Sequence, residues 1–288
     1  MALMLRSISR TMNNIKTVVA SGSFDDLKFP QMRFLEKASK LGRLHVALWS
    51  DAMILETTGK LPVFSLSERE CWMQSIRYVD RYTVVPGVFD LDTVPLMEMI
   101  QPDIWVVDAE ADNANTRAFC VAHRLAYRHL AIASLKETLA PVPAAAPDGD
   151  HPRKRVLVTG SFDWLHSGHL RFFEETAELG DLYVVVGHDD NIKLLKGDGH
   201  PLFPQDIRRY MVGSIRCVKQ ALISTGHGWL DAEPEIGRIH PDIYAVNEDG
   251  DQPEKREYCE QHGIDYVVLK RTPKEGLTPR SSTALRGF

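Results

Sequence analysis

Displaced against itself by 138 positions, so that Gly22 falls on Gly160, this chain matches its own second half. Lys16 to Asp51, KTVVASGSFDDLKFPQMRFLEKASKLGRLHVALWSD, lies on Lys154 to Asp189. Gly22, Ser23, Phe24, Asp25, Leu27, Arg33, Phe34, Glu36, Leu41 and Gly42 each meet the same residue type in the second copy. One extra residue near Asp198-Gly199 moves the register by one. After it Ser75-Ile76-Arg77 meets Ser214-Ile215-Arg216, PDIWVVDAEAD from Pro102 meets PDIYAVNEDGD from Pro241, and Arg117, Cys120 and His123 meet Arg256, Cys259 and His262. Amphipathic spacing alone does not reproduce residue identities over such a length. The chain is a tandem duplication, and whatever fold it adopts it adopts twice.

Each copy alternates short β-branched runs with stretches of helical spacing, which predicts a parallel sheet with right-handed crossovers and helices on both faces, an α/β Rossmann-like unit. Between the copies LAPVPAAAPDGDHP, from Leu139 to Pro152, has the prolines, alanines and glycine of a linker. The expected division is a tail over 1–15, a first unit over 16–138, the linker over 139–152 and a second unit over 153–288.

With 44% hydrophobic and 25% charged residues the composition is that of a globular protein, and the net charge of -5 does not favour a nucleic-acid partner. No apolar run approaches the ~20 residues of a membrane-spanning helix. Cys71, Cys120, Cys217 and Cys259 stand too far apart for a zinc site and are expected as reduced, packed thiols. The opening MALMLRSISRTMNNIK carries Arg6, Arg10 and Lys16 and no acid, the composition of a mitochondrial transit peptide. A disordered tail, or a start site upstream of Met12, accounts for it equally well, and the expected location is the cytoplasm.

The chemistry concentrates in the second copy. Val156 to Thr159 reads as a buried strand, Gly160 breaks it, and Leu170 to Leu179 has the spacing of an amphipathic helix. His166-Ser-Gly-His169 therefore falls at a strand-to-helix turn, where a parallel sheet opens its ligand crevice and a helix N-terminus attracts phosphate. Gly168 lets the backbone approach a ligand closely. In the first copy Lys28, Pro30 and Gln31 stand where the second has His166, Gly168 and His169, and Thr58 stands where it has Lys196. That copy also stops before any counterpart of RSSTALR, Arg280 to Arg286. It is expected to be a degenerate, inactive unit that serves as a packing partner in an internal pseudo-dimer. The other reading is that it holds a ligand of its own, with Lys28 retaining an anion.

GSFDWLHSGH, Gly160 to His169, resembles the FDxxHxGH signature of the cytidylyltransferase-like nucleotidyltransferases, the HIGH superfamily. LLKGDG at Leu194, IRR at Ile207, NEDGD at Asn247 and RTPKEGLTPRSSTALR at Arg271 follow in the family's order, over roughly half the chain. The likeness is nearest to glycerol-3-phosphate and ethanolamine-phosphate cytidylyltransferases. It implies that His166, His169 and Lys196 act on the nucleotide's phosphates and that Gly160, Ser161, Phe162, Asp163 and Gly168 bind the nucleotide; Asp163 lies near the metal and triphosphate or, equally, caps the turn. Arg208 would bind phosphate, although Ile207 replaces the family's Glu; the first copy keeps Glu68-Arg69 at that place, so a partly structural role for Arg208 is the other reading. Asn247 and Asp249, in a segment similar to the family's GDD, and Arg271, in a variant of its RTxGISTT, would hold the nucleotide. Arg280, Ser281, Ser282 and Thr283 would cradle the pyrophosphate end. Trp164, His188, Tyr210 and Trp229 line the acceptor's pocket or fill a core.

The reaction so implied transfers CMP from CTP to a small phosphorylated alcohol, a glycerol-phosphate, polyol-phosphate or phosphoethanolamine type of acceptor, as in CDP-alcohol and phospholipid biosynthesis. Mg2+ would accompany the triphosphate, with no metal ligands identified, and further homodimerisation is compatible with the family. RSSTALR is similar also to the ISSTxxR of adenylyltransferases, so ATP on the same scaffold is the alternative. A nucleotide sensor without turnover is another.

Overall fold

The computed structural model describes residues 15–85, 100–112, 114–131 and 153–285, except the side chains of Thr283 and Ala284. The expected N-terminal tail, all but Ile15, and the expected linker lie outside these residues. The described residues form two compact units, each with its own five-stranded sheet.

In the first unit β1 (Thr17–Gly22), β2 (Arg43–Trp49), β3 (Arg81–Val85), β4 (Ile104–Asp108) and β5 (Ala126–Leu130) run parallel in the order β3-β2-β1-β4-β5. Helices α1 (Phe29–Ser39), α2 (Asp51–Thr58), α3 (Leu66–Ser75) and α4 (Ala114–Ala122) connect them. The second unit repeats the plan. Strands β6 (Arg155–Gly160), β7 (Asp181–Val186), β8 (Val218–Ile223), β9 (Ile243–Asn247) and β10 (Asp265–Leu269) lie parallel in the order β8-β7-β6-β9-β10. Its helices are α5 (Ser167–Leu179), α6 (Asp189–Lys196), α7 (Gln205–Gly213), α8 (Glu233–Ile239), α9 (Pro253–His262) and the short α10 (Ser282–Leu285). The predicted α/β class and the duplication are thus both present.

The central strands carry near-continuous apolar runs because helices cover both of their faces. Val156, Leu157, Val158, Leu182, Val184 and Val186 are inaccessible to solvent. Leu170, Phe172, Phe173 and Thr176 form the buried stripe of α5, at the three-to-four-residue spacing that a helix packed on a sheet requires. Opposite, Ile236 and Ile239 of α8 and Cys259 of α9 close over Leu157, Tyr183 and Tyr244. All four cysteines are free thiols.

Sheet order places the crevice. From β6 the chain moves outward to β7 and β8, then crosses back to β9 on the other side, so the carboxyl ends of β6 and β9 border a gap no connection covers. Gly160 and Asn247 are the residues at those ends.

Where α5 turns into β7 the backbone passes against the start of β6, and Asp181 N donates to Lys154 O at 2.8 Å. A Cβ on Gly180 would lie 2.1 Å from that carbonyl oxygen, and one on Gly42 would lie 2.2 Å from Lys16 O in the first unit. Gly180→Ala must therefore displace backbone. It should lower the unfolding free energy of the second unit by about 2–3 kcal/mol, read by chemical denaturation followed through circular dichroism.

Candidate functional site

The loop after β6 is shaped by Phe162, whose backbone takes the left-handed conformation at φ 45°, a costly one for a large side chain. That turn folds its ring over Gly160, where a Cβ would be 2.9 Å from the ring edge. The ring then packs edge-on to His169 (5.3 Å between centroids) and against Phe173 (5.1 Å). Phe162 is the floor beneath His169 and not a ligand group.

His166 caps α5. Its Nδ1 accepts from Gly168 N at 3.1 Å, so the neutral ring carries its proton on Nε2. A Cβ on Gly168 would press to 3.0 Å from the same ring, which is why glycine belongs between the histidines. The rings of His166 and His169 stack at 3.9 Å between centroids, with 26° between their planes. His169 Nδ1 is buried and has no hydrogen-bond partner among the described residues. Burial, then the neighbouring His166, Arg271 and Lys196, hold the His169 imidazole well below its ordinary pKa, so it is neutral at physiological pH.

Lys196 ends α6, and its Nζ donates to Ser161 Oγ at 2.9 Å, bringing a cation from the β7 side to the end of β6. Arg271 arrives from beyond β10. It pairs with Asp249 Oδ2 (2.5 Å) and donates to Arg280 O (3.1 Å), tying the C-terminal segment to the loop after β9. Ser282 Oγ donates to Trp164 O (3.1 Å), which seats α10 on the histidine loop. Thr283 has no described side chain.

Between α5 and this C-terminal segment lies a cleft of about 310 Å³. Of the expected residues, Gly168, Asn247, Arg271, Arg280 and Ser281 line it. Thr272, beside Arg271 in the RT pair, lines it as well; sequence reasoning missed Arg171, Phe172 and Glu175, which follow Gly168 at helical spacing, and Pro273 and Lys274, which directly follow that pair. The helical spacing was the available signal.

Several other expected site residues are bonded to the protein itself or stand outside this cleft. Arg208, expected at phosphate, is 1% exposed. Its Nε donates to Phe203 O (2.8 Å), Nη1 to Ser161 O (2.5 Å), and Nη2 to Gly187 O and Asp189 Oδ1 (both 2.7 Å). Arg69 in the first unit binds Phe64 O, Ser23 O, Trp49 O and Asp51 in the same way. Asp163 Oδ1 accepts from Leu202 N and Phe203 N, as Asp25 accepts from Val63 N and Phe64 N. His188, expected at the acceptor, caps α6 through Nδ1 and meets Gly226 O through Nε2, so both ring nitrogens are engaged. The buried Trp164 ring packs edge-on to Phe203. Tyr210 and Trp229 do not line the cleft.

The first unit shows the same frame with other side chains at the histidine and lysine positions. Lys28 Nζ pairs with Asp26 Oδ2 at 2.6 Å, Gln31 Oε1 accepts from Lys28 N, and Thr58 Oγ1 donates to Ile54 O. Each group that replaces a histidine or the lysine is turned on its own backbone or a neighbouring carboxylate.

Among the described residues no group of three or more His, Cys, Asp or Glu side chains could hold a metal ion, and none of the helices is long and apolar enough to cross a membrane. The family model described as cytidylyltransferase-like matches residues 157–286. An FAD synthase of Aciduliprofundum boonei is 39% identical over 119 residues, 40% of this chain and 76% of that protein. An FAD synthase of Thermococcus kodakarensis is 37% identical over 119 residues, 40% of this chain and 78% of the relative. One from Methanocella paludicola is 33% identical over 135 residues, 46% and 93%.

Two expectations follow. Lysine in place of Arg208 or Arg69 should each cost about 3 kcal/mol or more in stability, because buried carbonyls lose their donors. An unchanged melting temperature with weakened nucleotide binding in Arg208→Lys alone would return that residue to the phosphates. Below the ordinary imidazole pKa near 6.5, unfolded chain takes up a proton that folded His169 refuses, so stability falls as pH drops. His169→Gln, which copies Gln31, should therefore lose less melting temperature than the parent between about pH 7.5 and 5.5.

Proposed function

This chain belongs to the cytidylyltransferase-like nucleotidyltransferases, and we propose that its second unit transfers AMP from ATP to a phosphate monoester, with release of pyrophosphate. The observation that carries this reading is the stacked His166–His169 pair, with Lys196 and Arg271 acting on His169, on the loop after β6 whose Gly168 lines the cleft together with Arg271.

In the reaction an acceptor phosphate oxygen attacks the α-phosphorus, the bond to the bridging oxygen of the β-phosphate breaks, and pyrophosphate departs. Charge and alignment make up most of the barrier, so donors fixed before the reaction lower it most. His166, with Nδ1 held by Gly168 N, is preset to donate from Nε2. His169 is a neutral donor, and Lys196 and Arg271 supply positive charge. Magnesium would enter as part of the metal–nucleotide substrate, since among the described residues no group of three or more His, Cys, Asp or Glu side chains could hold it. The first unit is a degenerate copy with no transfer chemistry.

ATP is favoured over the CTP of the first expectation because the relatives are FAD synthases, and FAD is flavin mononucleotide joined to AMP. Flavin mononucleotide is accordingly the acceptor to test first. One observation keeps CTP with a polyol phosphate as the second reading: Arg271-Thr272 lines the cleft as the cytidylyltransferase-like RT pair.

Pyrophosphate release measured with ATP or CTP against flavin mononucleotide or glycerol 3-phosphate separates the two. The ATP and flavin mononucleotide combination should be fastest, and His166→Ala should reduce it by about 10² to 10³. Preference for CTP with glycerol 3-phosphate would restore the second reading. Saturable nucleotide binding with no pyrophosphate released from any pair would make the site a sensor.

A further inference from the structure

We infer that Leu194, Leu195 and Trp229 form a platform for a large planar apolar group on the acceptor, and so set acceptor choice; the inference rests on the nucleotidyl-transfer reading of the same site. Leu194 is 70% exposed, Leu195 54% and Trp229 47%. Scattered exposed leucines are ordinary in a folded protein, but these are neither scattered nor remote. Asn191 Nδ2 donates to Gly228 O (3.0 Å) and Gly228 N donates back to Asn191 Oδ1 (2.8 Å), which pins the single helical turn Gly228–Leu230 against α6. Leu194 and Leu195 lie three and four residues past Asn191, one turn nearer the site, where side chains of a helix are neighbours. Lys196 comes next and reaches Ser161 at the end of β6. An acceptor phosphate paired with Lys196 would thus have its organic end over two leucines and an indole.

The duplication supplies an internal control. Helix α2, Asp51–Thr58, is the counterpart of α6, Asp189–Lys196, with the same length and the same position in the repeat. It has Glu56 and Thr57 where α6 has Leu194 and Leu195, and Thr58 where α6 has Lys196. The copy without the cation is also without the leucines. Helix α2 does expose one leucine, Leu55, at 44%, but at neither of the two positions that precede the lysine in α6, so the apolar pair goes with Lys196. Aromatic and aliphatic contact suits a flat ring system, and a polyol would gain nothing from it.

The test uses the full chain, with Trp229→Ala and with the double variant Leu194→Glu, Leu195→Thr, whose new residues are those α2 already carries. KM for flavin mononucleotide should rise about tenfold or more in each, while KM for ATP stays within about twofold. In the absence of nucleotide, flavin fluorescence should be quenched saturably by the parent and far less by Trp229→Ala. This binding readout tests the platform even if no acceptor turns over. Failure of every acceptor to release pyrophosphate would sink the transferase reading, whereas turnover with unaltered flavin binding and KM in both variants would sink the platform alone. A change of oligomeric state in the double variant without a change in KM would likewise overturn it and mark the patch as a protein contact.

Discussion

A buried guanidinium holds the working edge of each unit together. The carboxyl ends of parallel strands leave carbonyl groups pointing into a crevice, with no tight turn to satisfy them. In the second unit Arg208 gathers the oxygens of Ser161, Gly187 and Phe203 and the carboxylate of Asp189. Asp163 meets the same segment from the other side through Leu202 N and Phe203 N. A charge out of water is tolerable only when so fully bonded, and removing it would free several loops at once. Because the clamp lies beneath the site and not in it, Arg69 and Asp25 perform the same task in the first unit.

That separation of frame from chemistry explains how two copies of one fold came to present different surfaces. The first unit satisfies its polar groups internally, Lys28 against Asp26 and Gln31 against the helix start. The second leaves a desolvated imidazole beside two cations and, among the described residues, no hydrogen-bond partner for His169 Nδ1, an arrangement poor for stability and suited to an anion. Catalytic preorganisation and folding stability pull in opposite directions at those few positions.

Several features were legible beforehand because they are local. Runs such as Leu182 to Val186, the break at Gly160 and the stripe Leu170, Phe173, Thr176 encode strand, turn and helix within a few residues. The histidine loop falls where these codes place it, at the carboxyl end of β6. The retention of Arg208 as Arg69, in a copy without the two histidines, already pointed to a structural share in its role, and its four bonds to the protein's own groups agree with that share. Pro273 and Lys274 have neither helical nor strand periodicity, so nothing local revealed that they wall a cleft with Arg171 and Phe172. His188 and Trp164 had side chains suited to a pocket, but their partners are set by residues tens of positions away.

By itself, then, the amino-acid order determined the duplication, the alternation of strands and helices, and the loop on which the imidazoles sit, since each is written in neighbours along the chain. Only tertiary structure decided which polar groups face outward. Ser161, Lys196 and Arg271 meet because β6, α6 and the segment after β10 end at one edge of the sheet. Arg208 and Asp163 are withdrawn from that edge because backbone amides and carbonyls claim them first. Whether a charged side chain binds substrate or scaffold is a competition among partners brought together by folding, and no local pattern records its outcome.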